Sequence, residues 1–228
     1  MITSRENQRL KLVRKLGSRR WREKLGLFVA EGEDLVDAAR GARIEPVDLL
    51  VAGDDVEPHL LAEVSTLGHP PRVIGVYRRD DLRSDVVPAV GLALWHVADP
   101  GNIGTILRSA DALGPAFVAL SAGCADPTGP KAVRASMGAL FRVPLITFDE
   151  ALRPWIGLVA SGGAPLPELD LDEGTFVLGA EREGLPEAVL ARCDQLATIS
   201  IVDHAESLNV AMAGTIALYE LARRRSSS

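Results

Sequence analysis

Short apolar runs alternate with helical patterns through most of residues 90–228, and this alternation is the strongest constraint on the fold. Runs such as VGLALWHVA and AFVAL have the length and composition of buried strands, and stretches with helical periodicity separate them. Parallel strands need crossover helices of this kind, and strands covered on both faces are continuously apolar. The pattern therefore predicts an α/β domain built on a mostly parallel sheet.

A smaller α/β unit precedes this domain. Residues 1–84 contain three strand-like runs, LFVAEG, VDLLVAG and RVIGVY, and helical patterns lie before and between them. The charged segment 78–84 then interrupts the periodicity, as a linker does. We therefore expect two domains, residues 1–84 and residues 90–228.

The composition is that of an ordinary globular protein. Hydrophobic residues make up 47% of the chain and charged residues 25%, and no apolar run approaches the ~20 residues of a membrane-spanning helix. The first residues lack the apolar core of a secretory signal, so we expect a cytoplasmic protein with no membrane partner. Two cysteines and four histidines without metal-ligand spacing predict neither a disulfide framework nor a metal site.

Positive charge is concentrated at the N-terminus. The first 24 residues carry nine Lys or Arg against two Glu, a net charge of +7, although the whole chain carries −6. A basic segment on an acidic protein is typical of a phosphate-binding surface, and a solvated helix face is the alternative. The residues predicted to contact nucleic acid are Arg5, Arg9, Lys11, Arg14, Lys15, Arg19, Arg20 and Arg22.

Residues 175–219 contain the clearest candidate ligand site. Two strand-like runs each end in a polar loop with glycine or serine, and a long apolar helix pattern follows. Strand ends and helix starts expose unpaired backbone groups, and we expect Gly179 and Gly184 to let a ligand lie against the main chain. Polar side chains stand in these loops where a core would exclude them: Glu181, Ser207 and Asn209.

The stretch DPGNIGTILRSADALG, residues 99–114, is the second informative one. It opens with a DPG turn, and we expect Asn102 to cap the following helix. Arg108 comes six residues later, and we expect it on the same helix face. From these residues alone a capped helix with one surface arginine is the favoured interpretation, and a phosphate site is the alternative.

Three motifs resemble, in order and approximate spacing, those of the SpoU (TrmH-type) RNA ribose 2′-O-methyltransferases of the SPOUT superfamily. They are DPGNIGTILRSADALG, VLGAEREGL and ESLNVAMAGTIALYE. The intervening KAVRASMGALFRVP is similar to the family as well, and ITSRENQRLKLVRKL with FVAEGEDLV resembles the substrate-binding domain that many members carry. The resemblance covers nearly the whole chain, and three ordered motifs are far more specific than one glycine-rich loop.

The resemblance implies a fold and a reaction. The fold is a mostly parallel sheet with a deep trefoil knot, which no pattern argument would propose. The reaction is metal-free transfer of a methyl group from S-adenosylmethionine to a ribose 2′-hydroxyl of RNA. Ribosomal RNA is favoured as the substrate because this N-terminal module is more common in the members that act on it. Members also form homodimers in which one subunit supplies the motif-one arginine to the other's donor site.

The resemblance also implies site residues. The functional polar residues of the family fall on Asn102, Arg108, Glu181, Ser207 and Asn209. The residues that would contact the donor are Leu178, Gly179, Glu181, Ile199, Ile201 and Leu208. A guanidinium group is essentially always protonated, so we expect Arg108 to hold a substrate phosphate rather than act as the base. His204 is expected to be a solvated loop residue.

Other classes of protein are less well supported. Transfer RNA is the alternative substrate for the same enzyme class. An RNA-binding or ribosome-assembly factor could keep the fold without the activity, but the functional polar residues of the family are all present. A nucleotide-dependent metabolic enzyme would leave the basic N-terminus unexplained, and the chain has no G-x-G-x-x-G fingerprint.

Overall fold

A computed structural model of the protein describes residues 1–84, 86–170, 172–202, 205 and 207–225. The N-terminal part contains α1 (Gln8–Leu16), α2 (Arg19–Leu25), β1 (Leu27–Glu31), α3 (Glu33–Gly41), β2 (Asp48–Val51), α4 (Pro58–Val64) and β3 (Val73–Arg78). The larger part contains β4 (Val90–Leu94), α5 (Pro100–Leu113), β5 (Phe117–Leu120), α6 (Pro130–Ser136), β6 (Leu145–Thr147), β7 (Trp155–Leu158), β8 (Ala164–Pro165), β9 (Gly174–Leu178), α7 (Glu187–Leu190), β10 (Gln195–Thr198) and α8 (Val210–Arg225).

The larger part is built on a seven-stranded sheet in the order β6-β5-β4-β9-β7-β10-β8. Every pairing in it is parallel, which confirms the predicted mostly parallel α/β sheet. Strands β4 and β9 are buried at every position, as expected for a sheet covered on both faces. Leu94 pairs with Leu120 on one side and Leu178 on the other, so the carboxyl ends of these strands share one edge. The trefoil knot stays a prediction.

Helices α5, α6 and α8 cover one face of this sheet. Ile106 and Leu218 are fully buried there, in the same apolar core as Leu92 of β4. Helices α5 and α6 approach so closely that a Cβ at Gly104 would lie 2.5 Å from the carbonyl oxygen of Ala132. A glycine is therefore required at this point of α5. No helix in the described ranges has the length and apolar character needed to cross a membrane.

The N-terminal part is built on a three-stranded antiparallel sheet with β3 in the centre. Helices α1 and α4 pack on it through a separate apolar core that includes Leu10, Leu16, Leu61 and Ile74. Phe28 of β1 and Tyr77 of β3 pack instead against Phe141 of the larger part, with ring centroids 6.0 and 5.3 Å away. These two residues of the small sheet therefore belong to the apolar core of the larger part.

Arg22 ties the N-terminal part to the larger part and is buried, unlike the exposed members of the basic segment, and its predicted contact with nucleic acid stays a prediction. Its side chain is only 5% exposed, and its Nε donates to Oδ2 of Asp126 at 2.8 Å. Its Nη1 donates to the carbonyl oxygens of Leu16 and Gly17. Burial alone would raise the pKa of Asp126, but hydrogen bonds from Thr128, together with the two guanidinium groups of Arg79 and Arg22, hold that pKa below its usual value.

Candidate active site

A cavity of about 430 Å³ opens at the carboxyl edge of the sheet, beside the ends of β7, β9 and β10 and the start of α8. Its volume lies in the range of about 300–1,000 Å³ that is usual for small-molecule sites. Its walls include every residue predicted to contact the donor: Leu178, Gly179, Glu181, Ile199, Ile201 and Leu208. Ser207 lines it too and is exposed. Segments from two motifs therefore meet at one apolar cavity with a polar rim.

Gly179 lines the cavity, and its missing side chain also makes room for the protein's own backbone. A Cβ at this position would lie 2.1 Å from the carbonyl carbon of Gly184, so the space is filled by the protein's own backbone and not left for a ligand. Gly184 has φ +65°, and its N–H donates to the carbonyl oxygen of Ala180 at 2.9 Å. The two glycines therefore close the loop after β9 on itself, and the closed loop forms one wall of the cavity.

Asn102, Glu181 and Asn209 form a chain of hydrogen bonds across the three motifs. Asn209 Nδ2 donates to Asn102 Oδ1 at 3.1 Å, and Asn102 Nδ2 donates to Glu181 Oε1 at 2.8 Å. Asn209 Oδ1 accepts from the backbone N–H groups of Ala211 and Met212, so it also caps α8. Because that oxygen is already bound to the helix, each amide can point only one way. The chain thus holds the start of α5, the loop after β9 and the start of α8 together.

Asn102 is available for this chain because another residue caps α5. Asp99 Oδ1 accepts from the backbone N–H groups of Gly101 and Asn102, and the expectation that Asn102 is the N-cap is wrong. Pro100 occupies the first helical position, where its missing N–H costs nothing, so the cap is the residue before it. Lys131 Nζ lies 2.8 Å from Asp99 Oδ2, and this hydrogen bond contributes most to holding the pKa of Asp99 below its usual value.

Arg108 and Asn102 lie on different faces of α5, so the expectation of a shared face is wrong. Six residues correspond to about 600° of helical rotation, so the two side chains leave the helix roughly 120° apart. Arg108 is exposed and is not among the residues that line the cavity. Among the residues that the structure describes it forms no hydrogen bond or ion pair.

Helix α8 carries an exposed apolar stripe beside α5. Met212, Ile216 and Tyr219 are 61%, 37% and 56% exposed. Their spacings of four and three residues place them on one helix face. Ser109 of α5 and Thr215 of α8 join the two helices through hydroxyl oxygens 2.6 Å apart. An apolar stripe of this kind is typical of a contact surface with another protein molecule.

The basic N-terminal residues fall into two groups. The exposed members are Arg5, Arg14, Lys15, Arg19 and Arg20. Arg9 and Lys11 are half buried, and each is paired within the N-terminal part. Arg9 Nη2 lies 2.6 Å from Asp48 Oδ1, and Lys11 Nζ lies 2.6 Å from Glu6 Oε2. Of the exposed members, Arg5 pairs with Glu63 and Arg19 with Glu23, whereas Arg14, Lys15 and Arg20 form no ion pair within the described residues.

Several residues at the site were not predicted. Leu158, Val210 and Ala213 line the cavity because sheet order places β7 beside β9 and α8 above them, which no local pattern reveals. Trp21, in the basic segment, was not predicted either, although it could have been noticed as the one aromatic residue among the first 24. His204 belongs to residues 203, 204 and 206, which lie outside the described residues. In the described part of the chain, no group of three or more His, Cys, Asp or Glu is arranged to hold a metal ion.

Comparison with known proteins agrees with this arrangement. The model of the SpoU rRNA methylase family matches residues 89–219, which contain the cavity, the first two motifs and all but the last residue of the third. The chain belongs to the SpoU rRNA methylase family. Residues 7–78 match a second model, that of the MRM3-like substrate-binding domain. The family resemblance inferred from the three motifs is therefore confirmed.

Similar proteins match over almost the whole chain. The 23S rRNA (guanosine(2553)-2′-O)-methyltransferase of Bacillus subtilis is 30% identical over 96% of this chain and 98% of its own. The AdoMet-bound rRNA methyltransferase of Sinorhizobium meliloti has a TM-score of 0.86 at 27% identity, covering 98% of this chain and 97% of its own. The SpoU methyltransferase AviRb of Streptomyces viridochromogenes, in complex with AdoMet, has the same TM-score and identity, covering 98% of this chain and 100% of its own.

Proposed function

We propose that this protein is a homodimeric enzyme that transfers the methyl group of S-adenosylmethionine to a ribose 2′-hydroxyl of ribosomal RNA. The observation that carries the proposal is the convergence of the second and third motifs on one cavity, with the first motif bonded to its rim. The B. subtilis relative, which matches over nearly all of both chains, is named as a 23S rRNA 2′-O-methyltransferase. Ribosomal RNA is therefore the substrate that we favour over transfer RNA, and with it we propose that the enzyme acts in the cytoplasm.

The cavity suits the proposed donor. The donor would supply an electrophilic methyl group on a sulfonium centre. Ile199, Ile201 and Leu208 offer an apolar wall for its flat base, and the loop after β9 offers backbone hydrogen-bonding groups beside Gly179. We assign Glu181 and Ser207 to the polar rim, where the hydroxyls and charged groups of the donor need partners.

The chain's own residues act chiefly by positioning. A 2′-hydroxyl oxygen must approach the methyl group in line, losing its proton to the adjacent phosphate or to water while the S–CH3 bond breaks and the neutral thioether leaves, and orientation supplies most of the rate for such a step. We propose that the Asn102–Glu181–Asn209 chain keeps the cavity loop in the geometry that this approach requires. Arg108, which is charged at all physiological pH values, would hold the phosphate beside the target ribose and stabilise the developing alkoxide.

The placement of Arg108 supports the homodimer. Its side chain is exposed, does not line the cavity of its own subunit and has no partner among the described residues. The exposed stripe of Met212, Ile216 and Tyr219 on the neighbouring helix provides an apolar surface that a second copy can cover. We propose that this interface carries Arg108 to the cavity of the partner subunit.

A methyl-transfer assay tests the proposed function. Purified protein is incubated with methyl-labelled S-adenosylmethionine and unmodified 23S rRNA, 16S rRNA or total transfer RNA, and the product is digested with alkali. We expect label in ribosomal RNA within alkali-resistant dinucleotides, because a 2′-O-methyl group blocks cleavage at its own nucleotide. Label confined to transfer RNA would change the substrate. Donor binding by calorimetry without incorporation into any RNA would favour an assembly factor.

We further propose that residues 1–84 bind the RNA and that residues 90–228 perform the transfer. Replacing Arg14, Lys15, Arg19 and Arg20 together with glutamine is expected to weaken RNA binding. The slope of log affinity against log salt should become shallower by about 0.7 to 0.9 for each phosphate that the variant no longer neutralises. Fluorescence anisotropy over a salt series measures both quantities.

A matched variant controls for net charge in this experiment. Arg40, Arg43, Arg72 and Arg83 are exposed basic residues outside the first 24 residues, and their replacement with glutamine removes the same total charge. This control should retain most of the affinity and the salt slope. Equal effects in the two variants would show that the N-terminal basic residues are not the RNA surface.

A further inference from the structure

A tryptophan stands in the middle of the basic N-terminal segment. Trp21 lies in α2 between two arginines and is half exposed. It belongs to none of the three apolar clusters of the described residues. Tryptophan is strongly buried on average in globular proteins, so its place on a charged surface is not explained by core packing.

The contacts of Trp21 are with cations. Lys15 Nζ lies 5.1 Å and Lys24 Nζ 5.0 Å from the centre of its ring, both within cation–π range. Neither ammonium group pairs with a carboxylate in the described part of the chain. The side chain of Arg20 is exposed next to them. Both ammonium groups thus lie over the indole ring, and a base that stacks on the ring would displace them towards its own phosphates.

We propose that Trp21, Lys15 and Lys24 form a subsite for one unpaired nucleotide of the RNA substrate. The base would stack on the indole ring, and the lysines would contact the adjoining phosphates. An aromatic platform beside basic residues is the combination by which proteins hold single-stranded nucleotides. This inference rests on the proposed RNA substrate, and it adds recognition of a base to a surface otherwise assigned only to phosphates.

Hydrogen bonds and ion pairs connect the helix of the subsite to the helix of the first motif. Arg19 and Arg22 of α2 bond to Cys124 and Asp126 in the segment between β5 and α6. At the start of α6, Lys131 binds Asp99, which caps the helix that carries the first motif. An unpaired base on Trp21 therefore lies at a set distance from the methylated ribose. The subsite selects RNA in which an unpaired nucleotide occurs at that distance.

Binding of two ten-nucleotide oligomers tests the subsite without methyl transfer. Decauridylate carries bases, whereas an abasic ribose-phosphate decamer of the same length carries only phosphates. We expect the wild-type protein to bind decauridylate more tightly. Trp21→Leu should weaken decauridylate binding by about 5- to 150-fold, the range for one base–aromatic stack, and leave the abasic decamer unaffected. Trp21→Phe keeps an aromatic ring and should retain most of the preference.

Arg20→Gln is the matched control, because it removes a neighbouring charge and no ring. It should weaken both decamers by the same factor. Equal effects of Trp21→Leu on the two decamers, or no effect on either, would overturn the subsite, as would a wild-type protein that binds both decamers equally. A protein that shows the expected preference but transfers no methyl group would retain the subsite and lose the proposed function, so the two failures are distinguishable.

Discussion

Arg108→Ala is expected to lower kcat for RNA methylation by about 100- to 1,000-fold, the usual cost of removing one preorganised group that stabilises developing charge. Donor binding should remain, because Arg108 is not among the residues that line the cavity. The fold should remain as well, because the side chain is exposed and has no partner within the described residues. Single-turnover methylation and calorimetry with S-adenosylmethionine measure the two quantities separately.

Arg108→Lys distinguishes holding a phosphate from acting as a base. Lysine keeps the charge but loses the bidentate geometry of the guanidinium group, so it should restore only part of the activity. The pH–rate profile should keep the wild-type shape. Full restoration, accompanied by a new ionisation that belongs to the lysine, would instead identify residue 108 as the base.

Subunit mixing shows whether Arg108 serves its own cavity or that of the partner. Val210 and Ala213 line the cavity one helical turn apart, so Ala213→Phe places a ring in it and should abolish donor binding. Arg108→Ala and Ala213→Phe should each be inactive alone. The two variants are then mixed in equal amounts, unfolded and refolded together. About half of the resulting dimers contain one chain of each variant, and each of these has one competent site, which predicts roughly a quarter of wild-type activity. No recovery would mean that Arg108 acts within its own subunit.

Arg22→Met is expected to destabilise the protein by about 3–5 kcal/mol, the usual cost of removing one partner of a buried ion pair. The change leaves the Asp126 carboxylate buried with only Arg79 and Thr128 beside it. Arg20→Met, in the same helix but exposed, is the control and should stay within about 0.5 kcal/mol of wild type. Urea denaturation at pH 7 measures both.

The stability difference between wild type and Arg22→Met should depend on pH. The pKa of Asp126 is depressed in the folded protein, so its contribution to stability is present above the unfolded value of about 4 and is lost as the pH falls through the folded value. In Arg22→Met the carboxyl group can take up a proton and remain buried at less cost. The deficit relative to wild type should therefore shrink on acidification. If Arg22→Met were as stable as wild type but its RNA affinity depended less on salt, Arg22 would instead be a contact for RNA.

Local patterns were sufficient for the strands, and the family resemblance supplied the residues around the cavity. The strands of the large sheet follow from runs of apolar residues, because a strand buried on both faces tolerates little else. The residues predicted around the donor, such as Leu178 and Leu208, line one cavity because they sit at a strand end and a helix start, and parallel strands bring such points to one edge. The family motifs likewise lie at strand ends and helix starts.

Only the tertiary structure decided which charged and polar residues are free. Arg22 and Arg20 are both arginines of the same basic segment, and the sequence does not distinguish them. Arg22, however, pairs with the carboxylate of a residue 104 positions away and is buried with it. Asn102 is released from capping by its neighbour and is bound instead to a residue 107 positions away. The role of a polar side chain depends on the partners that the fold brings to it, and those partners leave no trace in its own segment. The sequence therefore determined the strands of the sheet, whereas the tertiary structure decided which arginines are buried in ion pairs and which stay exposed.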